Sequence, residues 1–321
     1  MRVSSVRAYI IRRLLLVIPT VFLFSLIVFF TIRLIPGSVV DLLTTEQGST
    51  QAQRYLIEHE LGLDVPAYIQ YWRWTGNIIL HGDFGNSLWA RTPVVDEILQ
   101  RVPVTLELGF LALIIAQIIA LPIGMLSALR QDTWGDYIAR SFAILCIAVP
   151  GFWLGTMVIV FPSIWWGWMP PITLIPFNKD PMGNLQQFII PAIILAMVLS
   201  GMTMRMTRTM MLEVLRQDYI RTAWAKGLRE RAVIMRHALK NALIPVITII
   251  GLQMPEVIGG TVILEQIFCL PGMGRLIVEA ASVRDYPMIS GILFFFAVAV
   301  MLINLLVDLS YGFFDPRVHY R

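Results

Sequence analysis

Residues 108–129 read LGFLALIIAQIIALPIGMLSAL, 22 positions without a single charged side chain. About 20 apolar residues suffice for a helix to cross the hydrocarbon of a bilayer. The same signature recurs from Leu14 to Ile32, Ser141 to Val160, Leu185 to Met204 and Tyr286 to Val307, each free of charge. A sixth run, Asn241 to Leu264, is interrupted only by Glu256. The expected fold is therefore an all-α polytopic membrane protein with six transmembrane helices.

Composition agrees. The chain has 321 residues, 57% of them apolar and 14% charged, with a mean hydropathy of +0.72. A soluble domain carries about 25% charged residues, and a chain this apolar would expose large sticky patches in water. Disorder and a secreted disulfide scaffold are excluded on the same numbers. The net charge of +4 comes from basic residues flanking apolar runs, which reads as membrane topology and not as a nucleic-acid footprint. Cys146 and Cys269 have neither metal-ligand nor pairing spacing. The first apolar run is too long for a signal peptide and is followed by Arg33-Leu34-Ile35-Pro36-Gly37, so a retained first helix is expected.

Lys and Arg set the orientation. With six spans, one side collects 17 of them and the other 8. The richer side should be cytoplasmic, with both termini inside. This divides the chain into 1–32 (tail and first helix), 33–101 (an external cap) and 102–321 (a core of five further spans). The cap should contain helices over Gln51 to Glu60 and Ala67 to Leu80 and a turn at Gly82-Asp83-Phe84-Gly85-Asn86. Arg33 and Arg101 flank it as interfacial anchors, and Trp165-Trp166-Gly167-Trp168 reads as an aromatic belt.

Catalytic signatures are missing. The sequence contains no G-x-x-x-x-G-K-[ST] phosphate loop, no H-E-x-x-H and no nucleophile elbow, and its four histidines have no metal-ligand spacing. Ser200-Gly201 invites comparison with intramembrane serine proteases, but small residues in a span ordinarily serve close helix packing. The expectation is a pathway or scaffold with no catalytic residues, metal or bound cofactor of its own.

The loop 205–240 carries nine Lys/Arg against Glu213, Asp218 and Glu230. Within it stands Asp218-Tyr219-Ile220-Arg221-Thr222-Ala223-Trp224-Ala225-Lys226-Gly227-Leu228. Asp218 can cap a helix and Gly227 can end it in the left-handed conformation. Ala223 and Gly227, four apart, would share a small face that another surface could approach, with Arg221 and Lys226 framing it. A second helical stretch, Glu230 to Asn241, leads through Pro245 into the fifth span. A docking knob and an ordinary positive-inside loop both fit this composition.

These residues, with His237-Ala238-Leu239-Lys240-Asn241, resemble the coupling loop (EAA-type motif) of bacterial ABC-importer permeases of the dipeptide, oligopeptide and nickel family. The resemblance extends through Tyr9-Ile10-Ile11-Arg12-Arg13-Leu14, Gly82-Asp83-Phe84-Gly85-Asn86-Ser87, Gly251-Leu252-Gln253, Pro271-Gly272-Met273-Gly274-Arg275-Leu276 and Arg284-Asp285-Tyr286-Pro287 to Asp315-Pro316-Arg317. It is similar to the first of two permeases in such systems. Arg221 stands where the motif usually has an acid, Thr222 where it has alanine, and Ser38-Val39 where Asp-Pro often follows Pro-Gly.

The resemblance implies a cytoplasmic coupling helix and a bacterial inner-membrane location. It implies a second homologous permease, two ABC ATPase subunits that bind ATP and Mg, and an external substrate-binding protein, with no nucleic acid. Asp218, Tyr219, Arg221, Thr222, Ala223, Ala225, Lys226, Gly227 and Leu228 would meet an ATPase. Pro271, Gly272 and Gly274 would turn near the external mouth. Glu256, a carboxylate inside a span, is the candidate pathway residue; the other reading is a structural acid bonded to a neighbouring span. An ion-coupled secondary transporter and a membrane enzyme are the competing classes.

Overall fold

The computed structural model describes residues 3–34, 55, 58–59 and 63–314, with side chains over 12–34, 55, 58–59 and 63–307. Most of the expected helix over Gln51 to Glu60, the Ser38-Val39 turn and the Asp315-Pro316-Arg317 tail lie outside these residues. The helices are α1 Val3–Arg33, α2 Ala67–His81, α3 Val94–Leu129, α4 Trp134–Ala148, α5 Gly151–Trp166 and α6 Pro181–Leu215. They continue as α7 Asp218–Ala225, α8 Glu230–Ile267, α9 Met273–Ser282 and α10 Tyr286–Phe314. Among the described residues the only β pairing is an isolated bridge between Asn86 and Pro93.

Five helices are long and apolar enough to span a membrane, and a bent pair makes up to six. The expected third span, Ser141 to Val160, is corrected here: it is not one helix. It breaks between α4 and α5 with a bend of 89°. Pro150 cannot donate a helical hydrogen bond and crowds the residue before it out of helical geometry. Val149 is accordingly extended, at φ −83° and ψ 121°. The second stretch of the basic loop and the fifth span, in contrast, merge into α8, whose first turns include a π-helical segment at Val233–Leu239. Helix starts follow local chemistry: at α6, the Asp180 carboxylate accepts from the Gly183 N–H at 3.0 Å and Pro181 occupies the first turn.

The described residues pack as two compact units, those of Val104–Arg275 with 3–6 and 303–314, and those of Arg7–Pro103 with Leu276–Leu302. The first is built on α3, α6 and α8. Leu108, Ala112 and Ala116 of α3 meet Phe188, Ala192, Leu195 and Leu199 of α6 and Val257 and Leu264 of α8. Small residues bring backbones close, as spans packed in lipid require: a Cβ on Gly201 would sit 2.8 Å from the Ala143 carbonyl oxygen. Ser200 is buried and donates to the Met197 carbonyl of its own helix at 2.8 Å, so the Ser200-Gly201 pair packs helices.

Two polar ties cross this unit. Gln253 of α8 donates to the Leu199 carbonyl of α6 at 3.0 Å. The fully buried Asp136 of α4 takes a two-pronged bond from Arg208 of α6, at 2.7 and 2.8 Å, and accepts from Ser127 Oγ of α3 at 2.5 Å. Removing one partner of such a buried pair costs about 3–5 kcal/mol, because the other charge is stranded.

In the second unit an aromatic cluster joins Phe22, Phe29 and Phe30 of α1 to Tyr71, Trp72 and Trp74 of α2. Ser25 and the Tyr71 hydroxyl share a 2.8 Å bond. The Gly82–Ser87 motif is held by Asp285, which precedes α10. Its carboxylate accepts from Ser87 Oγ at 2.5 Å, Leu88 N–H at 3.2 Å and Met288 N–H at 3.3 Å. Arg101 lies 3.8 Å from both Glu97 and Glu279, so it is ion-paired within the chain.

Candidate functional site

The short helix α7 is amphipathic because its two inward positions are apolar and the rest are not. Ile220 and Ala223, one turn apart, are buried against Met211 of α6 and Val233, Ile234, Ala238 and Ala242 of α8. Tyr219 adds a polar tether: its hydroxyl accepts from Asn241 Nδ2 at 2.9 Å. Asn241 also donates to the His237 carbonyl at 2.9 Å, which fixes the amide at the head of the fifth span.

The far end of α7 closes in a Schellman arrangement. Gly227 N–H reaches the Trp224 carbonyl at 2.9 Å and Leu228 N–H reaches that of Ala223 at 3.4 Å. Gly227 has φ +73°, where a residue bearing a Cβ is strained.

Two details of the expected surface are corrected. Asp218 does not cap α7: Gln217 occupies the N-cap position without a side-chain bond, and the Asp218 side chain, 95% exposed, sits in the first turn facing Arg221 at 3.5 Å. Ala223 does not share an outward face with Gly227. Ala223 is 6% exposed, and the helix ends at Ala225, so four-residue spacing no longer places Gly227 on Ala223's side. The outward face is carried by Tyr219, Arg221, Thr222, Trp224, Ala225 and Lys226, with Leu228 just beyond. Trp224, 45% exposed, was not singled out by the sequence reading, although its place between Ala223 and Ala225 in a two-turn helix marks it.

Glu256 lies on an exposed stripe of α8 with Leu252, Gly259 and Ile263. It is bonded to no other span of this chain among the described residues, so the alternative of a structural acid tied to a neighbouring helix is corrected within the chain. The buried acid of this helix is Glu265, which the sequence reading passed over. It is 0% exposed and accepts from Thr105 Oγ1 of α3 at 2.7 Å, Gly274 N–H at 2.7 Å and Arg275 N–H at 3.1 Å. Thr105 Oγ1 in turn accepts from Met273 N–H at 2.8 Å. A helix N-terminus offers unpaired N–H groups and a positive end, and the carboxylate meets both.

This explains the Pro271-Gly272-Met273-Gly274 motif. A Cβ on Gly272 would overlap the Glu265 carboxylate, and one on Gly274 would overlap the backbone of Val262. Gly272 and Gly274 are buried and cradle an acid of their own chain. The signal was a glutamate six residues ahead of Pro271, directly after the apolar run.

Comparison with known proteins bears on this geometry. Residues 120–320 match the family model described as binding-protein-dependent transport system inner membrane component, and residues 6–109 match its N-terminal companion. The chain belongs to this family. The oligopeptide transport system permease protein AppB of Bacillus subtilis (strain 168) is 41% identical over 98% of this chain and 99% of its own. The glutathione transport system permease protein GsiC of Escherichia coli (strain K12) is 36% identical over the same shares. Among solved structures, the inward-facing MetNI methionine ABC transporter aligns with a TM-score of 0.55 at 15% identity, over 68% of this chain and 96% of that one. An amino acid ABC transporter crystallised with histidines gives 0.52 at 15% identity, over 70% and 95%. These two show a shared fold. The protein is a multi-pass permease subunit of an ATP-binding-cassette importer.

Proposed function

We propose that this permease carries peptides or related small solutes, as one half of a pathway completed by a second, similar permease. Two ATPase subunits, binding ATP and Mg, would sit on the side of α7, and a substrate-binding protein would deliver cargo from outside. The 17-to-8 asymmetry of Lys and Arg supports a cytoplasmic α7 and cytoplasmic termini in a bacterial inner membrane. The printed names of the peptide and glutathione relatives support the cargo class.

The observation that carries the reading is the construction of α7: a rigid two-turn knob presenting Tyr219, Arg221, Trp224 and Lys226. Its base, Ile220 and Ala223, is sunk among α6 and α8. Force on the knob passes directly into two spans. Aromatic and arginine side chains ringed by polar ones are the usual makings of a binding anchor. When the ATPases close on nucleotide, the two knobs of the permease pair are drawn together, and α6 and α8 move as rigid bodies to open the path alternately. The exposed stripe of Leu252, Glu256, Gly259 and Ile263 on α8 would then face the path or the second permease. The carboxylate there would meet the cationic amino end of a peptide.

The test is transport and ATP hydrolysis by the reconstituted importer. Trp224→Ala should leave the permease folded and inserted but lower transport at least tenfold, with ATPases that copurify poorly or hydrolyse without import. Normal import and normal copurification by that variant would refute the docking role. Uphill uptake by the permease alone in vesicles, without ATPases, would favour an ion-coupled carrier.

A further inference from the structure

The first span ends in an unusual arginine. Arg33 is the last residue of the span Arg12–Arg33 and is only partly exposed. Its guanidinium lies 3.4 Å over the Phe29 ring. Nε and Nη2 both donate to Gln70 Oε1, at 3.1 and 2.6 Å, and Nη1 donates to the Phe29 carbonyl at 3.1 Å. Gln70 is itself anchored, its amide donating to the Val65 carbonyl at 2.8 Å. All these partners are neutral, and no carboxylate pairs with Arg33 among the described residues. The side chain is thus held in place with no carboxylate beside it among the described residues, to which two of its five N–H donors make no bond. An arginine so oriented is well matched to an oxyanion.

It lines a cavity of about 220 Å³ whose other walls include Asn77, Phe84, Leu88 and Pro287. Asp83 also lines it; one of its oxygens accepts from Gly85 N–H at 2.7 Å, and the other has no partner among the described residues. Arg73 also borders the cavity but has Asp64 within electrostatic reach. A fixed cation and an acid around one small space match a zwitterion. The depth matches lipid phosphates, because Arg33 closes a hydrophobic span. Exposed Ile27 and Phe30 of α1 and Trp72 and Ile79 of α2 give apolar surface for acyl chains. We propose that this cavity holds the headgroup of an aminophospholipid, its phosphate on Arg33 and its ammonium on Asp83.

The full-length permease, purified with whatever subunits accompany it, would be placed in nanodiscs of equimolar dioleoyl phosphatidylethanolamine and phosphatidylglycerol. Retained lipid would then be counted by native mass spectrometry after release into detergent. Wild type should retain phosphatidylethanolamine at least fivefold over phosphatidylglycerol. Arg33→Gln should lower that retention about tenfold, and Asp83→Asn should abolish the preference while lipid is still bound. Should Arg33→Gln fail to fold, wild type alone decides: replacing the ethanolamine lipid by phosphatidylcholine, whose quaternary nitrogen has no N–H for Asp83, should lower retention severalfold. Equal retention of all three lipids by wild type would overturn the proposal. So would unchanged retention by folded Arg33→Gln, or displacement of the lipid by millimolar dipeptide, which would make this a solute site.

Discussion

Glu265→Ala should be among the most damaging single substitutions in this permease, although the residue reaches no surface of the chain. The change strands three donors in a fully buried space: the Thr105 hydroxyl and the N–H groups of Gly274 and Arg275. Each unsatisfied buried group costs about 1–3 kcal/mol. Loss of the anion at the head of α9 adds about 0.3–1 kcal/mol. A water entering the vacated space would recover part of this, so the net cost should be about 3–5 kcal/mol. Glu265→Gln keeps one acceptor but turns an NH2 toward a backbone donor, and should cost about half as much. Gly272→Ala attacks the same contact from the other side, because the added methyl falls on the carboxylate, an overpacking worth about 1–3 kcal/mol. The two changes should not add. With the carboxylate gone, the methyl has room, so Gly272→Ala should be nearly silent in the Glu265→Ala background. The assay is membrane abundance together with the thermal midpoint of the purified importer. Glu265→Ala should lower the midpoint on the order of 5 °C or more. A wild-type midpoint for Glu265→Ala, or equal penalties for Gly272→Ala in both backgrounds, would refute the clamp.

Three further outcomes are expected. Asp136→Ala should cost about 3–5 kcal/mol of stability, and pairing it with Arg208→Ala should recover part of the loss, as read by a double-mutant cycle on the same thermal midpoint. Gly227→Ala should cost about 1–2 kcal/mol, because φ is +73° while nothing lies within 4 Å of the new methyl; normal stability of Gly227→Ala would show that the left-handed turn is not needed. Glu256→Gln should leave expression and thermal midpoint unchanged but alter the concentration dependence of uptake, and unchanged uptake of every peptide tried would remove it from the path.

The spans were legible because lipid enforces one rule, a long run without charge, and five such helices stand where the runs are. The third run hid its bend: absence of charge says nothing of direction, and the chain turns by 89° inside it, at Pro150. In the basic loop the turn at Gly227 was readable from local backbone chemistry. The face of α7 was not, because the i, i+4 rule needs a helix that reaches Gly227 and this one ends at Ala225. What the sequence hid altogether are bonds between distant residues. Glu265 and Thr105 are 160 positions apart, and Asp136 and Arg208 are 72 apart. A lone acid inside an apolar run stands out, as Glu256 does, whereas Glu265 follows directly on the end of that run and carries no such mark.

The Asp285 knot has a consequence for biosynthesis. Ser87 and its acceptor are 198 residues apart. At a ribosomal pace of about 5–20 residues per second, the loop between α2 and α3 must wait about 10–40 s before its tether is even made. Until then the Ser87 hydroxyl and the Leu88 N–H lack their acceptor, and quality-control proteases have their widest opening. Truncations that stop short of Asp285 should therefore be cleared quickly, and Asp285 should matter more to the yield of newly made permease than to the endurance of the mature one.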